Sequence, residues 1–418
     1  MFSQGRNNKV VALVLFFLGV GYFSYAIDRY AFSFLVPNIA AAFAIPLSLS
    51  GLLGTIFLYG QIAGSIPAGF FQARYGYKFT LSVGIGVATF GIFLTAIAVN
   101  TNFIVVARII TGIGEGFWNV AIVLALANIF YNRKGTGVGI SQNFFGVGLF
   151  FGPFLASLIL DSTNQWRDVF YIFALTGAIG TALVLFGAKR SYIDPERVKK
   201  GTYKPINKTD TSKIDFSIFR NWRVYIPVLL FSLYEIGFWG WTISVSTYLE
   251  HVLKFPVVTA GFLAGADGIS IMALSWLTGF FGDKFGRRWA FVLGGAAQGV
   301  VAVIAYSYFT GFYTFLLLAL IFGFFTIMIY ITIYSYIAEN FGKKNASVVT
   351  GITFAVGLIF AGYMGKIMFD FIGYYGWSLA AFYLIGITSF LIAVIGGIFG
   401  TPIKRKQITT IDTDSAQM

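Results

Sequence analysis

Gly69-Phe-Phe-Gln-Ala-Arg74-Tyr-Gly76-Tyr-Lys78 and Gly279-Phe-Phe-Gly-Asp283-Lys-Phe-Gly286-Arg287-Arg288 are two versions of one segment, set about half a chain apart. They share a glycine, two phenylalanines, a basic residue and a second glycine at equal offsets. Each sits in a short polar gap between apolar stretches of about 20 residues, the length that crosses a bilayer as a helix. A unit repeated across half the chain, with membrane-length segments on both sides, predicts a duplicated all-α membrane protein.

Twelve apolar stretches meet the spanning standard: 10–35, 50–72, 79–99, 103–129, 136–160, 168–188, 224–249, 257–281, 289–309, 312–337, 346–370 and 377–399. Composition agrees. Of the 418 residues 57% are hydrophobic and 11% charged, against about 25% charged in a soluble domain, and the mean hydropathy is +0.80. The one long polar interruption falls halfway. It predicts an N-terminal six-helix bundle over 1–188, a linker over 189–223, and a C-terminal six-helix bundle with a short tail over 224–418. The 49 glycines suit helices that approach closely in lipid, where no hydrophobic force joins them.

The net charge of +13 raises the question of a nucleic-acid partner, and the placement of the charge answers it. Arg6, Lys9, Arg74, Lys78, Arg133, Lys134, Lys284, Arg287, Arg288, Lys343, Lys344, Lys404, Arg405, Lys406 and the bases of the linker all fall on one side of the twelve-span scheme. Arg167 and Lys254 fall on the other. Such a bias places both termini and the linker in the cytoplasm of a multi-pass plasma-membrane protein, and accounts for the charge with no nucleic acid. The first apolar stretch lacks a small-residue cleavage site and reads as a retained span, not a signal peptide.

With no cysteine and one histidine, no thiolate or histidine-cluster metal centre is expected, and neither is a cofactor. No G-x-x-x-x-G-K-[ST] loop occurs, so ATP-driven transport has no support. His251 reads as an interfacial residue. Lys366 and Asp370 are spaced as an i,i+4 pair. Trp166, Trp222, Trp289 and Trp377 lie at span boundaries, where indoles anchor to head groups.

Charges inside a membrane cost several kcal/mol each by most estimates and mark function. Asp28 and Arg29 lie in span 1, Arg108 and Glu115 in span 4, Glu235 in span 7 and Asp267 in span 8. At about 1.5 Å rise per residue, Asp28 and Arg108 both fall in the outer third of the membrane, which permits an ion pair. Glu115 is two turns deeper on the face of Arg108. The four read as a ladder leading inward from the outer cavity. Acids placed beside arginines can load and release protons, and arginines suit a substrate carboxylate. A purely structural neutralisation between spans 1 and 4 is the competing reading. Glu235 and Asp267 lie near mid-depth, either as further coupling groups or as neutral acids hydrogen-bonded to neighbours. Polar cavity candidates at similar depth are Tyr59, Gln61, Asn119, Gln142, Asn143, Tyr234, Trp239 and Tyr330.

The repeated segment resembles the cytoplasmic signature of the major facilitator superfamily of secondary transporters. The second copy is complete, and the first has Ala73 where the family carries aspartate. Gly69, Arg74, Gly76, Gly279, Asp283, Gly286 and Arg287 thereby take the role of conformational-signature loops. Tyr25-Ala-Ile-Asp28-Arg29 together with Arg108-Ile-Ile-Thr-Gly112-Ile-Gly114-Glu115-Gly116 is similar to the anion:cation symporter family, which includes sugar-acid transporters and sialin. The resemblance implies protonation at Asp28 and Glu115, and substrate carboxylate binding or organisation of the acids by Arg29 and Arg108. Span 11 reads Gly351-Ile-Thr353-Phe-Ala, without the asparagine that related carriers offer to sugar hydroxyls. Asp267 matches no family position.

The expectation is therefore a monomeric, non-enzymatic carrier in the lipid bilayer, moving a small organic anion with protons by alternating access. The alternatives are a proton-coupled antiporter exporting drugs or metabolites and, from another class, a lipid flippase or non-transporting sensor.

Overall fold

In hydrocarbon a backbone N–H or C=O finds no water, so each apolar stretch satisfies its own groups by coiling into a helix. The computed structural model describes residues 8–129, 134–188, 193, 220–307 and 311–401. Eleven helices among these are long and apolar enough to cross a membrane: Lys9–Phe34, Leu47–Gln72, Tyr77–Ala96, Thr101–Ile122, Gln142–Thr163, Trp166–Gly187, Trp222–Val252, Val257–Phe285, Arg287–Ser307, Phe312–Asn340 and Trp377–Phe399. The bent pair Val348–Gly362 and Met364–Tyr375 forms the remaining crossing. In chain order these are spans 1 to 12, the bent pair being span 11. The linker expected at 189–223 lies outside the described residues apart from Ile193 and 220–223, as do Arg6, Arg133, Lys404, Arg405 and Lys406.

The packing repeats when six is added to each span number. Span 1 packs on 5 and span 7 on 11; span 2 on 4 and 8 on 10; span 3 on 4 and 6, and 9 on 10 and 12. Two six-helix bundles result. They meet along two equivalent seams, span 2 against 11 and span 5 against 8, with span 1 crossing span 7 between them. Small residues set the closeness of these seams. A Cβ on Gly146 of span 5 would lie 2.5 Å from the Met272 backbone nitrogen of span 8. One on Gly51 of span 2 would lie 2.5 Å from the Gly365 carbonyl oxygen of span 11.

The repeated segment does one local job in both copies. Gly76 ends the helix Phe57–Tyr75 and begins Tyr77–Ala96, with φ 93°. Gly286 sits between Ala266–Phe285 and Arg287–Ser307, with φ 89°. An L side chain is strained there, and glycine is not. The second copy adds an ion network. Arg287 pairs with Asp283 and donates to Glu339 of span 10 from Nε at 3.0 Å and Nη2 at 2.8 Å. Ala73 and Tyr77 stand at the matching positions of the first copy, so the Asp283–Arg287 pair has no counterpart there.

Three spans are broken where hydropathy predicts continuous helices. Span 2 breaks at Ile56, span 8 at Gly265, and span 11 at Tyr363, with a 40° bend. Proline is not the cause: Pro67 and Pro153 lie inside unbroken helices. The breaks of spans 2 and 11 face each other. Thr55 Oγ donates to the Gly362 carbonyl at 2.9 Å and accepts from the Gly365 amide at 3.3 Å.

Candidate functional site

Adjacent residues on a helix point about 100° apart, so Asp28 and Arg29 address different neighbours. Asp28 accepts from Arg108 Nη1 at 2.6 Å. Arg29 pairs with Glu115. The expected ladder is thus two cross-linked ion pairs joining spans 1 and 4.

The two pairs differ in surroundings. Arg108 is 0% exposed and its guanidinium lies 4.5 Å from the Phe32 ring centre. Arg29 keeps 8% exposure. Phe57 of span 2 lies between the two cations, 5.0 Å from the Arg108 guanidinium and 5.2 Å from that of Arg29. Tyr25 and Tyr30 also ring Arg29, at 5.9 Å and 6.0 Å. Both pairs leave buried atoms with no hydrogen-bond partner among the described residues: Arg29 Nε and Glu115 Oε1 in one, Asp28 Oδ1 and Arg108 Nε and Nη2 in the other.

Span 7 supplies the opposite wall. Glu235 accepts from the Trp239 indole N–H at 3.0 Å, one turn on. That indole lies nearly parallel to Tyr30, centres 6.3 Å apart, and edge-on to Phe57 at 5.5 Å. Aromatic contact therefore links Glu235 of one bundle to Arg29 of the other. Tyr234 stacks on Phe238 at 5.8 Å and leans on Tyr330 of span 10. Gln142 of span 5 lies beside the Tyr330 hydroxyl. Asn119, one turn beyond Glu115, accepts from Tyr25 at 3.0 Å.

Other candidates lie elsewhere. Tyr59 donates to the Ile359 carbonyl at 3.2 Å and packs on Gly362, along the seam with span 11. Asn143 accepts from Ser275 at 2.8 Å, along the seam with span 8. Gln61 is buried where span 2 meets span 4: its backbone nitrogen would lie 2.9 Å from a Cβ on Gly112. Asp267 is turned to its own backbone at the span 8 break, accepting from the Gly268 amide at 2.9 Å, and packs on Gly323 of span 10. Lys366 and Asp370 do pair, in the half of span 11 that follows its bend.

Sequence reasoning did not single out Phe57, Tyr30 or Phe238 as site residues. For Phe238 the signal was spacing. Phe231, Tyr234, Glu235, Phe238 and Trp239 recur at i, i+3, i+4, i+7 and i+8, one face of a helix.

The site is shut off at one end. Opposite the N-terminus, Thr55 binds span 11 as described, Ser246 donates to the Ser33 carbonyl at 3.2 Å, and Gly54 meets Ile243. Toward the N-terminal end of the bundle, Gly69 of span 2 and Gly351 of span 11 have no atoms within 4 Å of where a Cβ would sit. Arg29 lies one turn to the N-terminal side of Ser33, just inside this closed end.

A model of the family described as Major Facilitator Superfamily matches residues 18–362. A cis,cis-muconate transport protein of Acinetobacter baylyi is 25% identical over 386 residues, 91% of each chain. A probable 4-methylmuconolactone transporter of Cupriavidus pinatubonensis is 27% identical over 66% of this chain and 64% of its own. A galactose-proton symporter of Escherichia coli is 25% identical over 47% of this chain and 44% of its own.

Proposed function

Since the chain belongs to the major facilitator superfamily, and is a transporter and not an enzyme, we propose that it carries a small organic anion together with a proton by alternating access. The observation that carries this reading is the Arg29–Glu115 pair, buried between the bundles just inside the closed end, with only Arg29 keeping an exposed edge.

Charge balance supplies the mechanism. Empty, the pair is neutral. A carboxylate arriving at Arg29 displaces Glu115 and leaves an unpaired acid in a dry interior, at a cost of several kcal/mol. A proton on Glu115 removes that cost. The site is then neutral both empty and loaded with one anion and one proton, and the bundles can rock past it in either condition. Loaded with the anion alone, it is held. Arg108 and Asp28, enclosed beyond Phe57, keep spans 1 and 4 together and hold the local field constant. The relatives support the two halves of the reading separately, one by a carboxylate in its name and one by proton symport.

The basic loops support a plasma-membrane orientation with both termini in the cytoplasm, which makes the closed end the outer one and this conformation inward-facing. The Asp28 and Glu115 roles implied by resemblance then divide: Glu115 carries the proton and Asp28 neutralises Arg108.

The test is proton flux in proteoliposomes containing the full chain. Adding a transported acid outside alkalinises the medium, and Glu115→Gln abolishes that signal while leaving anion counterflow. Alkalinisation that persists in the variant, or no response to any organic acid, overturns the reading.

A further inference from the structure

The two seams between the bundles correspond in topology and differ in how they are fastened. We propose that they have different duties: the span 5–8 seam is a pivot that stays packed through the transport cycle, and the span 2–11 seam is the gate that opens and closes. The inference goes beyond the transport reading above and does not depend on which anion is carried.

Span 8 lies on span 5 nearly backbone to backbone. A Cβ on Gly261 would come within 2.7 Å of the Pro153 carbonyl oxygen, and one on Gly268 within 2.6 Å of the Phe150 nitrogen. Gly146 then meets Met272, and Ser275 donates to Asn143 at 2.8 Å. The contact thus runs from Gly261 to Ser275, about 21 Å of helix at about 1.5 Å per residue. It reaches to within one turn of Gly279, where the space for a Cβ is open. Span 5 enters this seam as a single unbroken helix, Lys134–Thr163.

Span 2 holds span 11 over a shorter length. The contact runs from Gly51, against Gly365, through Thr55 to the Tyr59 hydroxyl on the Ile359 carbonyl, about 12 Å of helix. It stops nearly three turns short of Gly69, the counterpart of Gly279 in the repeated segment. Both partners are broken inside the contact, at Ile56 and Tyr363. Leu47–Thr55 and Met364–Tyr375 are therefore docked half-helices, each with a bend point behind it.

These differences decide which seam yields. In lipid no hydrophobic force draws helices together, so a seam is held by close packing and by hydrogen bonds across it. Parting spans 5 and 8 would undo both along most of the membrane, against a helix with no joint. Parting spans 2 and 11 undoes a shorter contact, and each half-helix can swing at a break where the helical hydrogen-bond ladder is already interrupted.

The test is the distance between spin labels on the full chain in lipid nanodiscs, measured by double electron–electron resonance. The chain has no cysteine, so each introduced pair of thiols is the sole target for labelling. Gly69→Cys with Gly351→Cys reports the gate, since both positions have room for a label. Leu158→Cys, at an exposed site on span 5, with Gly279→Cys on span 8 reports the pivot. Thr55→Val, which loosens the closed end, shortens the gate distance by several ångström in part of the population and leaves the pivot distance one narrow peak. Tyr59→Phe, which loses only the bond to Ile359, is the second background and acts in the same direction. A pivot distance that changes as much as the gate distance overturns the inference in favour of symmetric rocking. Gate labels that stay put in both backgrounds overturn it as well, since the seam assigned to move is then fixed. The organic-anion reading stands after either result.

Discussion

The hydroxyl of Thr55 closes a break in a helix that is not its own: it donates to the Gly362 carbonyl at 2.9 Å and accepts from the Gly365 amide at 3.3 Å. A broken helix leaves orphan carbonyls and amides that must find partners. Here the partner comes from the other bundle, so the bond exists only while this end is shut.

Thr55→Val keeps the shape and loses both bonds, worth about 1 kcal/mol each net. The closed population should fall several-fold. The chain has no cysteine, so a single Ser33→Cys, buried at this end, is a clean reporter. Its reaction with a membrane-impermeant thiol reagent added outside should quicken several-fold in the valine background. An unchanged rate would mean that Thr55 does not hold the gate.

Asp28→Asn should destabilise the fold more than Glu115→Gln does. Removing one partner of a fully enclosed ion pair costs about 3–5 kcal/mol, and Arg108 has no exposed edge to hydrate. Arg29 has one. Thermal unfolding in detergent reads the difference. The double change Asp28→Asn with Arg108→Gln should recover most of the loss, whereas equal destabilisation by the two single changes would contradict the division of roles.

Substrate-driven uptake should rise as the outer pH falls, because protonated Glu115 is the form that lets the loaded carrier turn. The sign follows from the charge balance: anion alone leaves the site at −1, anion with proton leaves it neutral. In Glu115→Gln the site is permanently in the protonated-like form, so exchange should lose its pH dependence and uphill accumulation should vanish. Initial rates across a pH series in proteoliposomes check both.

Gly286→Ala should cost about 1–2 kcal/mol, since its φ of 89° is strained for an L residue. Gly279→Ala, seven residues earlier in the same segment with open space at its Cβ, should be neutral or slightly stabilising, because alanine favours helix. Unfolding midpoints of the two variants should separate. Equal midpoints would show that the turn relaxes at no cost.

How much of this was legible in the sequence depends on the coordinate concerned. Depth was legible, since 1.5 Å per residue converts position to height: Asp28 and Arg108 meet where their depths match. Azimuth was less so. Tyr59, Asn143 and Asp267 lie at cavity depth but turn to helix seams or their own backbone, and the pairing of Arg29 with Glu115 needed the rotation of two helices about their axes. The breaks at Ile56, Gly265 and Tyr363 carry no local proline. They arise where one bundle packs on the other, which a linear pattern does not encode.

The single-glycine turns at Gly76, Gly286 and Gly376 bear on how the chain enters the membrane. Each ends one crossing and begins the next with no residue to spare. A ribosome-bound chain cannot leave span 2 in lipid while span 3 waits in water at any distance, for the tether between them is one residue long. Such short junctions predict that spans 2 and 3, 8 and 9, and 11 and 12 insert as helical hairpins, two at a time. The polar ends of each pair return to the side from which they came, so these junctions give a protease no loop to cut.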